Sequence, residues 1–253
     1  GIGGDEASFA SLMNETAREL GMLDSYFVNA SGWPHPDHVM TAKDLSILVR
    51  ALIDKFPQYY PIFSERSFTF SKIRQGNRNP LLYKNVGADG LKTGYTAAAG
   101  YGLAASAQRS GRRLDLVVNG LNSVNQRSRE SQRLLSWGFR EFGNYALFKA
   151  GEQVADASVW LGSMGTVPLL IEDPLTIIIP RKARRDMKVS VNFQGPLPAP
   201  IAKGQMVATL RIEAPNMTPI VRPLIAGANI ARKGVFGRLG AALEHLVFGG
   251  VSN

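Results

Sequence analysis

Chemistry in this chain has to come from lysine, arginine, hydroxyl and carboxylate side chains. The 253 residues contain no cysteine, which excludes disulfides and thiolate metal sites. His35, His38 and His245 are too few and too scattered for a zinc centre, and neither a metal nor another cofactor is expected. The most informative stretch is Asp89-Gly90-Leu91-Lys92-Thr93-Gly94-Tyr95, which sets a cation beside a hydroxyl and follows both with a glycine. Taken alone, Lys92-Thr93-Gly94 reads as a turn with an exposed lysine. A nucleophilic serine spelled Ser-x-x-Lys occurs nowhere in the sequence. Ser123-Val124-Asn125 has a Ser-x-Asn spelling, read here as coincidence.

The neighbours of Lys92 change that reading. Lys-Thr-Gly is one of three short motifs of penicillin-recognising serine enzymes, the others being Ser-x-x-Lys and Ser-x-Asn. Phe27-Val28-Asn29-Ala30-Ser31-Gly32 and Met40-Thr41-Ala42-Lys43-Asp44-Leu45 precede it. Phe68-Thr69-Phe70, Ile73-Arg74-Gln75 and Asn77-Arg78-Asn79-Pro80-Leu81-Leu82 lead into it, and Ala99-Gly100-Tyr101, Ser131 to Leu135 and Trp137-Gly138-Phe139-Arg140 follow. In this order the segments resemble D-alanyl-D-alanine carboxypeptidases, the low-molecular-mass penicillin-binding proteins. The likeness continues at Ile179-Pro180-Arg181, Pro200-Ile201-x-Lys203-Gly204 and Arg222-Pro223-Leu224. In that family Ser-x-x-Lys and Ser-x-Asn lie upstream of Lys-Thr-Gly, so Ser123 stands on the wrong side of it. The chain thus reads as the C-terminal portion of such an enzyme, and Gly1-Ile2-Gly3-Gly4 reads as an internal cut.

Composition is compatible with this. Apolar residues make up 45% of the chain, enough for a large domain or two smaller ones. The net charge of +9 points to an acidic partner: nucleic acid, an anionic membrane surface or an anionic polymer. No nucleic-acid reading motif accompanies it, and the aromatics do not interleave with the basic residues, so no nucleic-acid partner is expected. No apolar run is long enough to span a membrane, and no stretch of the sequence reads as a signal peptide.

The elements that must position these residues alternate at first. Residues 5 to 20 carry Phe9, Leu12, Met13 and Leu20 at helical spacing and stop at Gly21. Thr41-x-x-Asp44 is a variant capping box before Leu45, Leu48, Val49, Leu52 and Ile53. Residues 66 to 73 alternate as a strand does, 114 to 118 suit a buried strand, and 126 to 142 form a third helix. From about 150 to 226 the runs 157–161, 166–171, 174–179, 187–193 and 205–213 have the spacing of an all-β sandwich. Residues 228 to 248 return to a helical stripe, through Val235, Phe236, Leu239, Leu243, Leu246 and Val247. The expected architecture is an α/β (α+β) domain of the DD-peptidase and β-lactamase-like kind over 1–146, incomplete at its N-terminus. A β-sandwich domain over 147–226 and an amphipathic helix over 227–253 follow. The helix either packs on the β-domain or, as the resemblance implies, lies in an anionic membrane interface through residues 228–248.

The resemblance also implies the chemistry. The substrate is a peptidoglycan stem peptide ending in D-Ala-D-Ala; a serine attacks the penultimate carbonyl, D-alanine leaves, and water hydrolyses the acyl-enzyme. β-Lactams enter the same site. Lys92 and Thr93 match the residues that hold the substrate's terminal carboxylate, Arg127 matches a family arginine aimed at it, and Arg78 lies on the same side. With Gly94 allowing close approach, the Tyr95 N–H matches one oxyanion donor; position 95 is histidine in some relatives. The plain alternatives are a solvated Lys92, structural or surface roles for Arg127 and Arg78, a turn role for Asp89, with Gly90 relieving the backbone, and exposed, non-catalytic His35 and His38. Without its nucleophile the chain alone is expected to be inactive, which leaves room for a second polypeptide with the missing motifs. A non-catalytic peptidoglycan-binding or scaffolding protein is the other reading. The implied location is periplasmic, on the outer face of the bacterial cytoplasmic membrane.

Overall fold

The structure, a computed structural model, describes residues 2–234. It divides into two compact units, Gly1–Arg140 and Glu141–Asn253. The expected mixed α/β fold followed by a β-sandwich is what is found, with three α-helices among the described residues.

In the first unit, α1 (Glu6–Leu20) starts where the Asp5 carboxylate accepts from Ser8 N, and ends where Gly21 takes φ 87°, a backbone position that costs a glycine little. Its buried stripe is Ala10, Asn14 and Ala17 rather than Leu12, which is 42% exposed. Asn14 is buried because its side chain closes both polar groups of Phe27, accepting from Phe27 N and donating to Phe27 O. Helix α2 (Ala42–Lys55) is capped by Thr41 Oγ1, which accepts from Asp44 N at 3.1 Å. The other half of the expected capping box does not form. Fully buried Asp44 instead accepts from Asp24 N and Ser25 Oγ, tying down the segment that precedes the helix.

The expected strand over 66–73 is a hairpin, β1 (Ser67–Phe70) with β2 (Ile73–Gly76), turned by Ser71 and Lys72 at φ 48° and 65°. Two positive φ values suit a primed hairpin turn, but Ser-Lys lacks the Asn-Gly spelling that announces one. Strands β3 (Ala88–Thr96), β4 (Gly100–Arg109) and β5 (Arg112–Leu121) form an antiparallel sheet in the order β3-β4-β5, so β3 is an edge. Helix α3 (Val124–Glu141) buries Arg127, Ser131 and Leu135, a stripe at i, i+4 and i+8. Leu135 joins Leu81, Leu103, Ala105, Ala107 and Val118 in one core, while Val49 of α2, Tyr60 and Leu91 make a second, smaller one.

In the second unit, β6 (Phe142–Phe148) pairs with β9 (Leu175–Pro180). The strands β7 (Gln153–Trp160), β8 (Thr166–Leu170), β10 (Lys188–Asn192), β11 (Leu197–Pro198), β12 (Met206–Glu213) and β13 (Ile220–Ala226) form a sheet in the order β10-β12-β13-β8-β7-β11. Alternation along β9 and β12 sends Leu175, Ile177 and Ile179, then Ala208, Leu210 and Ile212, into a shared core. The helix expected from 227 does not begin there. Ile230 bridges to Ile201 and Arg232 to Gly162, and Ile230, 1% exposed, is part of the sandwich core. Burying that isoleucine outweighs helical continuity over 228–234; the rest of the expected helix lies outside the described residues. None of the described helices is long and apolar enough to cross a membrane.

Candidate active site wall

The Lys92 strand is positioned by a polar network that sequence reading missed. Asp89, expected to be a turn residue, lies in β3 and takes two parallel bonds from Arg113 of β5, at 2.8 Å to Oδ1 and 2.7 Å to Oδ2. Tyr60 Oη donates to the same Oδ1 at 2.8 Å, and the Arg113 guanidinium lies 5.2 Å over the Tyr60 ring. Arg113 also donates to Ser106 Oγ of β4; Ser106 donates to Asp115 Oδ1, and Arg50 of α2 donates to Asp115 Oδ2. This chain of bonds ties β3, β4, β5 and α2 together. The bond to Asp89 raises the Arg113 pKa above its ordinary value. Burial, helped by that carboxylate, raises that of Tyr60, so Tyr60 stays a neutral donor. Gly90 serves packing: a Cβ there would meet Tyr60 Oη at 2.7 Å.

Two further clamps fix the start of the strand. Asn79, 1% exposed, donates to Gly90 O at 2.8 Å. Asn77 donates to Phe63 O and Glu65 O and accepts from Asn79 N. Arg78 sits between these asparagines on an immobilised loop, and its exposed side chain makes no hydrogen bond or ion pair with Lys92, Thr93 or Arg127. The structure therefore places Arg78 beside the strand but does not join it to the cluster.

Lys92 and Thr93 follow on this edge strand. Lys92 is exposed, and among the described residues its Nζ donates to Thr93 O, at 2.6 Å. Thr93 is 8% exposed and lies opposite Leu103 in the register. A Cβ built at Gly94 would meet nothing within 4 Å, so the space over that glycine is open to an approaching group. Tyr95 faces Tyr101 across the strands, their rings 4.3 Å apart. Thr93 and Tyr95, two residues apart, point to the same side of β3.

Arg127 completes the arrangement. Its guanidinium lies 5.6 Å over the Tyr101 ring, and Tyr101 in turn packs against Tyr95. Arg127 is only 5% exposed, its Nε is buried without a hydrogen-bond partner, and no carboxylate pairs with it among the described residues. Burial lowers its pKa, opposed by Tyr101. It also stands in the first turn of α3, at the positive end of the helix dipole. A buried cation without an acid, at a helix N-terminus, costs stability on every count. An anion arriving beside Arg127 would offset its unpaired charge.

Ser123 is accounted for by the same helix. Its Oγ accepts from Gln126 N at 3.1 Å, and the Gln126 side chain reaches back to Asn122 N at 2.7 Å. Ser123-x-x-Gln126 is thus a cap, and the hydroxyl is committed to the backbone. His35 is exposed as expected; His38 is half-buried, with its Nδ1 accepting from Val28 N. No group of three or more His, Asp or Glu residues able to hold a metal occurs among the described residues.

Comparison with known proteins gives one family throughout. Residues 1–123 match the D-alanyl-D-alanine carboxypeptidase family, and residues 142–232 match the C-terminal domain of penicillin-binding protein 5. D-alanyl-D-alanine carboxypeptidase DacC of Escherichia coli is 39% identical over 240 residues, covering 94% of this chain and 60% of that protein. Penicillin-binding protein 5 of Haemophilus influenzae superposes with a TM-score of 0.79 at 32% identity, over 91% of this chain and 68% of that one. The carboxypeptidase DacD of Francisella tularensis gives 0.77 at 28% identity, over 92% and 70%. The chain spans about three fifths of the length of the curated relatives it matches.

Proposed function

The chain belongs to the D-alanyl-D-alanine carboxypeptidase family, and on that premise we propose that it forms the carboxylate-holding wall of a serine-type, penicillin-sensitive D-Ala-D-Ala carboxypeptidase acting on peptidoglycan stem peptides. The observation that carries this reading is Arg127: a buried guanidinium with no acid, stacked through Tyr101 on the residue that follows Lys92-Thr93-Gly94.

The terminal carboxylate of the peptide takes the place of the missing acid. Lys92 and Thr93 supply a second cation and a hydroxyl donor to it, and Arg78 adds to the local positive potential from its clamped loop. This fixes the scissile carbonyl along the edge of β3, where the Tyr95 N–H serves as one oxyanion donor. The nucleophilic serine with its lysine base, and the serine of the second motif, come from residues outside this sequence. The serine oxygen adds to the penultimate D-Ala carbonyl, the C–N bond breaks with a proton passing to the departing D-alanine, and water then cleaves the ester. Penicillins acylate the same serine. Because such groups act as a unit, this sequence alone releases no D-alanine. The proposed setting is the periplasm, with residues 228–248 contributing contact with the outer face of the cytoplasmic membrane; that contact depends on the apolar and basic pattern of residues beyond 234.

Denaturing intact-mass measurement after incubation with a labelled penicillin tests this. The account predicts no adduct on the 27.5 kDa chain, and an adduct on a polypeptide carrying Ser-x-x-Lys when that partner is supplied. An adduct on this chain itself would mean that a nucleophile lies within these residues. Binding of D-Ala-D-Ala peptide with no release of D-alanine, even with the partner present, would favour a non-catalytic scaffolding protein.

A further inference from the structure

The β-unit carries a concentrated positive charge that the reading above does not use. Residues 141–253 hold twelve Lys and Arg against eight Asp and Glu, an excess of four. The eight residues from Arg181 to Lys188 contain Arg181, Lys182, Arg184, Arg185 and Lys188 against Asp186 alone, so this one segment equals the excess of the whole unit. It is a tight turn: β9 ends at Pro180, a short 3-10 helix runs over Ala183–Asp186, and β10 begins at Lys188. Ala183 is buried and pins the turn to the unit, while its five cationic residues are all exposed.

The turn is held in shape from below. Arg184 lies 4.4 Å over the Tyr145 ring of β6, and Met187 N bonds to Arg184 O. Lys182, Arg185 and Lys188 have no ion-pair partner among the described residues; Glu213, opposite Lys188 in the register, is taken by Arg211 at 2.8 Å. Like charges crowded on a fixed turn repel each other.

We propose that the Arg181–Lys188 turn is a docking surface for the carboxylate-bearing peptidoglycan polymer itself, holding the wall while the Lys92 strand engages single stem-peptide ends. This rests on the substrate reading above, in which every unprocessed stem peptide ends in a free carboxylate. A polymer bearing many such groups is complementary to an exposed row of lysine and arginine, each contact weak and their sum useful. The register favours the wall over a bilayer. Lys188 lies level with Glu213, at the end of the sheet where β9 delivers the chain. The described chain leaves by Arg232, bridged to Gly162 beyond the last residue of β7. The last described residues thus leave the unit at the end opposite Lys188.

Co-sedimentation of the full chain with purified peptidoglycan sacculi tests the surface. The variant Lys182→Gln/Arg185→Gln/Lys188→Gln should bind about tenfold more weakly at low ionic strength, with the difference shrinking as salt rises. Charge-conserving Lys182→Arg/Lys188→Arg should bind like the parent chain, which separates charge from folding. Sacculi whose carboxylates have been amidated should lose the parent chain. Undiminished retention of the triple variant, or equal retention on amidated sacculi, overturns the proposal. So does a triple-variant defect seen with phosphatidylglycerol vesicles but not with sacculi, which would make the membrane the occupant. Lys92→Ala serves as the separate control for the substrate reading: it should abolish binding of soluble D-Ala-D-Ala peptide and leave sacculus retention intact.

Discussion

The β-unit gathers fifteen buried apolar residues into one contiguous cluster, whereas the largest clusters of the first unit hold seven and three. Between those two smaller cores runs the Tyr60–Asp89–Arg113–Ser106–Asp115–Arg50 chain of bonds. Leu23, Trp33, Tyr59, Ile62, Phe68 and Phe70 of the first unit are all 60% exposed or more, as is Met206 of the second. One unit is held by a closed apolar interior and presents charge outward. The other uses directional polar bonds to fix a single strand, and keeps a buried cation unpaired at its side. On the proposed reading, a unit that tolerates such a cation gives up stability to bind a carboxylate there.

The comparison can be broken first in the β-unit. Leu210 is fully buried in its core, so Leu210→Ala should destabilise that unit by about 3 kcal/mol. Thermal unfolding followed by calorimetry should show this, while peptide binding at the Lys92 strand stays unchanged. Loss of binding together with the core would mean that the two units do not work separately. Next comes Asp89→Ala, which leaves Arg113 without its carboxylate. Both side chains are roughly a quarter to a third exposed, so the cost falls below that of a fully buried pair, at about 2 kcal/mol. Denaturant unfolding should place that loss in the first unit, and backbone NMR shifts of Lys92 to Tyr95 should move with it. Smaller still, Thr41→Ala removes the cap of α2 and should cost about 1 kcal/mol, with no effect on ligand affinity.

Much of this was legible from residues alone. The β-like runs over 174–179 and 205–213 and the glycine stop of α1 translate directly into structure, because each depends only on local geometry. The Asp89–Arg113 pair was not legible: its partners stand twenty-four residues apart, and β-register, which sequence spacing does not reveal, brings them together. Ser123 was rightly read as a coincidental Ser-x-Asn spelling, but the Ser-x-x-Gln that caps α3 passed unnoticed. The helix expected after 227 failed at its start because Ile230, apolar enough for a helical stripe, fits the sandwich core better. Arg127 could be named only by resemblance. What makes it informative, burial without an acid, exists only in the fold.

That property gives the most direct test. NMR titration of the full chain with acetyl-D-Ala-D-Ala and with its C-terminal amide should be run for the parent and for Arg127→Leu, alongside thermal unfolding of both. The account predicts that the parent prefers the free acid by at least about tenfold. Arg127→Leu should lose that preference while unfolding at the same temperature or higher, because an unpaired buried charge has gone. Equal binding of acid and amide by the parent, or a variant that unfolds earlier and still discriminates, would show that Arg127 supports the fold and does not read the carboxylate.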